Sequence, residues 1–351
     1  MNQKLNDRID LLVKLADELR SDKELDTFIA RAATYNPWFT AEFTRFAIDG
    51  IIEKMLNREK LEQWLSRYNI TKDEKAPKTI GIIMAGNLPL VGFHDFLCAY
   101  ISGSGIKVKL SGKDEILFPY VYEKLLQIDP SLHERSAIIE RLEGFDAVIA
   151  TGSNNTNRYF EYYFRNYPKI LRRNRSSIAI LNGSETDADL FGLADDIFMY
   201  FGFGCRNVSK LYVPEDYDIT RLFPYFGKYK WMHSHTKYMN NYDYNRTLLL
   251  MNRTVHLANE IIMIEENPAI SSPVSVLYFE RYNNVKNLAV KLHGNLSNIQ
   301  CIVSNKSVSL DGGFKDIVKF GHTQVPDLWD YADNVDTLDF IFSLKSLNQS
   351  Q

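Results

Sequence analysis

The sequence predicts an α/β chain organised around a parallel, doubly wound sheet and preceded by a helical region. Three observations carry this. Short apolar runs recur at Thr79-Ile80-Gly81-Ile82-Ile83-Met84, Ala147-Val148-Ile149-Ala150 and Ser177-Ile178-Ala179-Ile180-Leu181, the pattern of strands buried on both faces. Helix-length segments alternate with such runs over roughly a hundred residues, as βαβ units require. Ahead of them the apolar spacing is helical.

The elements follow in order. Residues 4–20 place Leu5, Ile9, Leu12, Leu15 and Leu19 at helical spacing, with charges between them. Residues 38–68 read the same way, and Asn36 before Pro37 suits a helix start. Lys72 to Lys78 reads as a charged linker. A strand at 79–84 leads to a helix at 90–101, a strand at 106–110, a helix at 114–127, strands at 137–139 and 147–150, and a helix at 154–165. The second run starts with a strand at 177–181, a helix at 187–201, a glycine-punctuated turn and a strand at 210–213. Helices at 217–227, 235–246 and 281–292 and strands at 259–264, 274–279, 299–304 and 316–320 complete it. From Pro326 onward, five aspartates through Asp339 read as a solvated tail or arm. The expected division is 1–75, 76–178, 179–325 and 326–351.

Composition narrows the function. The 351 residues are 45% hydrophobic and 24% charged, which is ordinary for a soluble globular protein. A formal net charge of −3 gives no electrostatic footprint for nucleic acid. The many aromatics, 20 Tyr and 21 Phe, suit large buried surfaces or an apolar ligand tunnel. Three cysteines, Cys98, Cys205 and Cys301, without any CxxC, argue against a disulfide framework or a metal site and for a reducing cytoplasm. Met1 to Arg20 has no apolar signal core, and no run of 18 uncharged apolar residues occurs, so neither a signal peptide nor a membrane segment is expected.

Four motifs can carry chemistry. Cys205 follows Phe201-Gly202-Phe203-Gly204 and precedes Arg206-Asn207. Glycines let backbone N–H groups approach a reacting carbonyl, and an adjacent cation favours thiolate; the other possibility is a small buried thiol. Asn87, in Gly86-Asn87-Leu88-Pro89-Leu90 after the first strand, could donate to an oxyanion or could cap the next helix. Lys107 and Lys109 alternate onto one side of the second strand, and Ser111-Gly112-Lys113 follow where a helix begins. That pattern suits a phosphate or ribose, or simply a solvated basic rim. Thr151-Gly152-Ser153 repeats the strand–turn–helix pattern, without a GxGxxG fingerprint. His94 reads as a packed helix residue. His322 could relay a proton, whereas His233 and His235 cannot share one helix face.

Taken in order, the strand with Asn87-Leu88-Pro89-Leu90, Val108-Lys109-Leu110-Ser111 beginning 21 residues on, Thr151-Gly152-Ser153, Leu181-Asn182-Gly183 and Gly204-Cys205 resemble the aldehyde dehydrogenase superfamily. More narrowly, Gly86 to Leu90, Lys109-Leu110-Ser111-Gly112-Lys113-Asp114 and Gly204-Cys205-Arg206-Asn207-Val208-Ser209 resemble the long-chain acyl-CoA reductase (LuxC) family, from about Thr79 to Phe340. The resemblance implies an aldehyde dehydrogenase-like fold, with a Rossmann-type NAD(P)-binding domain at 76–178 and an α/β catalytic domain at 179–325. It implies that Cys205 forms a thioester and that Asn87 and the Cys205 N–H stabilise the oxyanion. It assigns the cofactor to Lys109, Ser111, Lys113, Thr151, Gly152 and Ser153.

Three departures refine the expectation. Aldehyde-oxidising members carry a hydrolytic Glu in the segment matched by Ile180-Leu181-Asn182-Gly183. Here that position falls near Ile180, and Glu185 is offset from it. A missing base suits reduction, in which the acyl-enzyme must outlast hydrolysis. Gly112 stands where NAD-preferring members often place a Glu, and Lys113 is adjacent, which favours NADPH. Ala269 replaces a Glu that holds the nicotinamide ribose. The expected activity is NADPH-dependent reduction of an acyl-CoA or acyl-protein, with a fatty acyl group, to the aldehyde. The expected setting is a cytoplasmic homo-oligomer that can work with an acyl-transferring partner. Two alternatives stand: a catalytically inactive cofactor-binding scaffold, and NAD(P)-dependent aldehyde oxidation.

Overall fold

The structure, a computed structural model, describes residues 3–68, 78–305, 308, 310, 314 and 317–344; the expected linker at 72–78 lies outside these except for Lys78. The chain forms two compact units, Met1–Arg173 with Pro326–Gln351 and Asn174–Val325.

In the first unit, helices α1 (Gln3–Ser21), α2 (Leu25–Tyr35), α3 (Ala41–Gly50) and α4 (Arg58–Leu65) come first, with a π-helical turn at Ile51–Met55. The leucine and isoleucine spacing of α1 makes one buried face. The helical spacing expected over 38–68 is realised as separate helices. Thr40 caps α3 by accepting the Phe43 N–H, and Asn57 caps α4 by accepting that of Lys60. Asn36 does not start a helix; it closes α2, and its side chain donates to the Lys113 carbonyl.

Then come β1 (Thr79–Ile83), α5 (Phe93–Ile101), β2 (Gly105–Lys109), α6 (Leu117–Ile128), α7 (Leu132–Arg135), β3 (Ser136–Ile138), β4 (Ala147–Thr151), α8 (Asn154–Tyr163) and β5 (Lys169–Arg172). The strands are all parallel, in the order β3-β2-β1-β4-β5. Ile80, Ile82, Ile106, Val108 and Ala147 to Ala150 are buried, as a sheet covered on both faces demands. Parallel pairing puts every carboxyl end on one edge. The strand order reverses between β1 and β4, the switch point where ligands bind such sheets.

The second unit contains β6 (Ser176–Ile180), α9 (Asp187–Phe198), β7 (Val208–Pro214), α10 (Thr236–Met251), β8 (His256–Ala258), β9 (Met263–Glu266), β10 (Val276–Tyr282), α11 (Val285–His293), β11 (Ile299–Ser304) and β12 (Ile317–Val318). Its sheet runs β12-β11-β6-β7-β10-β9-β8 and is parallel except for β8 against β9. The helix expected at 217–227 is part of a 3-10 stretch, Ile219–Ser234, with Pro224 inside. Proline removes an N–H that a continuous α-helix needs.

The chain then returns to the first unit, which corrects the expected tail or arm at 326–351 as far as residue 344. Leu328 and Tyr331 are buried there, as are Leu338, Ile341 and Leu344 of α12 (Thr337–Leu344). The aspartates are engaged rather than simply solvated. Asp327 pairs with Lys60 at 2.9 Å, and Asp336 accepts from Tyr68 at 2.7 Å.

Candidate active site

The approach to Cys205 is a strained backbone. Tyr200 and Phe201 adopt left-handed φ values of 52° and 59°, and Gly202 and Gly204 follow at 76° and 100°. Bulky residues rarely hold such angles, so the surroundings impose them. Cys205 and Arg206 are the central residues of a turn in which the Asn207 N–H donates to the Gly204 carbonyl at 3.4 Å. Both are half-buried. The turn sits at the amino ends of β6 and β7. The Ser177 N–H donates to the Asn207 carbonyl at 3.1 Å, and the Ser177 hydroxyl donates to the Cys205 carbonyl at 3.0 Å. The buried Asn207 amide donates to the Met199 carbonyl at 2.6 Å, fixing the turn to the end of α9. Sequence reasoning missed Ser177 because only strand pairing brings it to the thiol; Asn207 stands in the motif itself, two residues after Cys205, but nothing local shows that its amide reaches back to Met199.

The same edge gathers the segment before β10. Ser271 and Ser176 share a hydroxyl hydrogen bond of 2.7 Å, and the Ser209 hydroxyl donates to the Ile270 carbonyl at 2.9 Å. Exposed Ala269 is thereby carried beside the amino ends of β6 and β7. Ile180 is not. It is fully buried at the carboxyl end of β6, where it pairs with Tyr212, while the Cys205 turn precedes Val208 at the other end. The match of Ile180 to the hydrolytic Glu therefore falls at the wrong edge of the sheet. The residues leading into β6 at the correct edge are Arg173-Asn174-Arg175, with no carboxylate. Glu185 has another use: its carboxylate accepts from the Asn182 and Gly183 N–H groups at 2.6 and 3.2 Å.

His322 is exposed, and its ring engages the Phe320 carbonyl at 2.9 Å. Its loop is held to α9 by Asp196, which accepts from Gly321 N–H at 2.7 Å, Thr323 N–H at 3.0 Å and the Thr323 hydroxyl at 2.8 Å. Burial outweighs these donors and pushes the Asp196 carboxyl up to about 6. The folded state thus binds this proton more tightly than the unfolded chain. The associated stability is complete below the unfolded value near 3.8 and is lost as pH rises through about 6. That is on the order of 3 kcal/mol. Urea midpoints measured from pH 4 to 7 are expected to fall more steeply for the native protein than for Asp196→Asn.

In the first unit, the carboxyl edge presents the other motifs. Asn87 is exposed, six residues ahead of α5, so it does not cap that helix. Its loop is pressed onto the turn after β2: a Cβ on Gly86 would lie 2.7 Å from the Ser111 hydroxyl and 3.1 Å from the Asp114 nitrogen. Buried Asp114 accepts from the Leu90 N–H at 3.2 Å, where φ is 55°, and from the Leu117 N–H at 3.1 Å. Burial raises its carboxyl despite those donors. The start of α6 is therefore filled by an acid of the chain, which corrects the expectation of an anion site there. An acid three residues before a helix is the sequence signal that points to Asp114.

Lys109, half-buried, ends β2. Lys107 is engaged by the Glu143 carbonyl at 2.8 Å. Lys113 and Gly112 are exposed, and Ser111 accepts the Lys113 N–H at 3.3 Å. A Cβ on Gly112 would lie 3.7 Å from the Glu115 carboxylate, which Tyr35 holds through a 2.9 Å hydrogen bond. The turn thus has an acid that the bare glycine does not suggest. Thr151 ends β4, and Ser153 caps α8 by accepting the Thr156 N–H. Gly152 admits α8 itself: a Cβ there would meet Phe160 at 2.9 Å and Thr156 at 3.1 Å. His94 is structural, with its ring on the Leu328 carbonyl at 2.8 Å. No cluster of metal-ligating side chains occurs among the described residues, and none of their helices is long and apolar enough to cross a membrane.

Residues 1–221 match the family model described as "Acyl-CoA reductase (LuxC)". No curated protein matches. Among solved structures, the chain is similar to aldehyde dehydrogenase 21 from Physcomitrella patens in complex with the reaction product succinate, at TM-score 0.69 and 12% identity, covering 97% of this chain and 84% of that one. It is similar to a mutant indole-3-acetaldehyde dehydrogenase from P. syringae in complex with NAD+ and IAA, at TM-score 0.66 and 14% identity, covering 89% and 75%. A mutant aldehyde dehydrogenase from Bacillus cereus gives TM-score 0.64 at 14% identity, covering 91% and 76%. The fold is that of the aldehyde dehydrogenases.

Proposed function

Since the chain belongs to the acyl-CoA reductase (LuxC) family and is an oxidoreductase of aldehyde or acyl groups, we propose that it reduces a fatty acyl-CoA to the aldehyde through a thioester on Cys205. The observation that carries this reading is the Cys205 turn: a half-buried thiol beside Arg206, reached through a strained backbone and pinned at both ends. The Cys205 thiolate attacks the acyl carbon. The new S–C bond forms as the bond to the CoA sulfur breaks, and CoA leaves as the thiol with a proton taken up in the exchange. Asn87 and the Cys205 N–H are the donors assigned to the oxyanion. A nicotinamide dinucleotide, when bound, supplies the hydride. Lys109, Ser111, Lys113 and Thr151 to Ser153 are the residues assigned to hold it. Their fit rests on their common placement at the carboxyl edge of the first sheet, beside its switch point. Arg173-Asn174-Arg175 ahead of β6 offer no carboxylate to activate water, which suits survival of the thioester.

NADPH is the cofactor favoured by Gly112 and Lys113. A second reading, NADH, is favoured by Glu115, whose carboxylate stands beside Gly112. Acids accept ribose hydroxyls and repel a 2′-phosphate. Glu115→Gln is expected to raise kcat/KM for NADPH relative to NADH several-fold, on the order of ten if the acid faces the ribose. The reading as a whole is tested by incubating the protein with a fatty acyl-CoA and recording intact mass. One acyl group on Cys205, followed by aldehyde on adding NADPH or NADH, is the expected result. Absence of both adduct and aldehyde would overturn it in favour of the scaffold alternative. Rapid conversion of aldehyde to acid without CoA would favour oxidation.

A further inference from the structure

We propose that Ser177 is a positioning residue for Cys205, and that Cys301 serves it as a fixed S–H donor rather than as a second nucleophile. This rests on the reading of Cys205 as the nucleophile. The hydrogen-bond inventory of one hydroxyl decides the arrangement. Ser177 Oγ has a single proton, and it lies 3.0 Å from the Cys205 carbonyl, which can only accept. That proton is therefore committed. Ser177 Oγ also accepts the Cys301 N–H at 3.3 Å. It lies 2.9 Å from Cys301 Sγ, so the thiol must be the donor in that contact. The hydroxyl then has one donated and two accepted bonds, its full complement.

The chain of donors runs one way, from the Cys301 S–H to the Ser177 O–H to the Cys205 carbonyl. Cys301 is suited to keep its proton: it is buried on β11, and burial pushes its thiol up to about 11. Ser177 is fully buried on β6.

The turn needs such an anchor. Its own closing hydrogen bond is long, 3.4 Å from the Asn207 N–H to the Gly204 carbonyl, and Gly204 at φ 100° has no side chain to fix it. The carbonyl that Ser177 grips belongs to the peptide plane directly after the Cys205 Cα. Holding that plane fixes the backbone torsion that aims Cys205. Ser177 acts through placement alone, since its hydroxyl bonds the Cys205 carbonyl and not the sulfur.

The test is a double-mutant cycle on one readout, the single-turnover rate of Cys205 acylation by a fatty acyl-CoA, followed by intact mass without cofactor. Ser177→Ala is expected to slow acylation about tenfold, the kinetic equivalent of one neutral hydrogen bond, with little change in the acyl-CoA concentration that half-saturates the rate. Cys301→Val, which removes the S–H donor at similar volume, is expected to slow it about threefold. The double variant is expected to be no slower than Ser177→Ala, because Cys301 acts through Ser177. Independent packing defects would instead multiply. Multiplying effects, or acylation at the native rate in either single variant, overturns the proposal and leaves the Cys205 reading intact. Failure of the native protein to acylate at all overturns that reading instead. Should Ser177→Ala fail to fold, Cys301→Val carries the test alone: a native rate refutes, and a slowed rate at unchanged half-saturation supports.

Discussion

Replacing Cys205 by alanine is expected to abolish thioester formation and to lower aldehyde production by about a thousandfold or more, with the fold unchanged. A nucleophile that forms the covalent intermediate cannot be bypassed by binding alone, and its removal ranks among the largest single losses enzymes show. The other two thiols cannot substitute. Cys98 is fully buried, and burial beside Asp95 raises its thiol well above the usual range. Cys301 is buried and raised to about 11. Both are held as thiols at neutral pH, and the thiolate is the nucleophile. Intact mass after exposure to acyl-CoA should therefore show one adduct in the native protein and in Cys98→Ala, and none in Cys205→Ala. A Cys205→Ala protein retaining activity within tenfold of native would falsify the assignment. Circular dichroism and urea unfolding check that the variant is folded. Cys205 is half-buried in a turn, so its truncation removes little packing.

What the sequence made legible was whatever is local. The runs at Ile80, Ile82 and Ala147 to Ala150 became central parallel strands because such residues can be buried on both faces. The loops after β1, β2 and β4 could be recognised as a set because parallel pairing sends all three to one edge. What stayed hidden depends on pairing distant in the chain. Nothing near Ser177 indicates that its hydroxyl will meet the side chain of Cys301, 124 residues away. The match at Ile180 failed for the same reason. A linear motif does not say which end of a buried strand faces the reacting group. β5 escaped notice because Lys169-Ile170-Leu171-Arg172 reads as a charged fragment, although its last residue is buried. The aspartates after 326 read as a solvated arm because their partners, Lys60, Tyr68 and Arg173, lie far earlier in the sequence.

That C-terminal return depends most on Arg172, and Arg172→Leu is expected to destabilise the first unit by about 3–5 kcal/mol. The guanidinium is almost fully buried and satisfies four acceptors. It donates to Asp95 at 2.5 and 3.1 Å, to the Ala332 carbonyl at 2.6 Å and to the Thr337 hydroxyl at 2.7 Å. Leucine supplies apolar volume but no donor. Asp95, with side-chain exposure of 10%, would then be a buried carboxylate without its counter-ion, and the segment before α12 would lose its tie to β5. Breaking one partner of a buried pair is costly for this reason, whereas removing both is often tolerated. Arg172→Leu combined with Asp95→Leu is accordingly expected to recover a large part of the loss. Arg172→Lys is not, since one ammonium cannot reach acceptors arranged around a planar fork. Urea unfolding followed by tryptophan fluorescence reports this unit selectively, because Trp38, Trp64 and Trp329 lie in it and only Trp231 lies in the other. Hydrogen exchange gives the local view. Amides of α12 should lose protection in Arg172→Leu before those of β1 and β4, because β1 and β4 are central strands of the sheet. A change in stability below about 1 kcal/mol would mean that the buried apolar contacts of Leu328, Leu338 and Ile341 hold the segment unaided, and that the ion pair contributes orientation only.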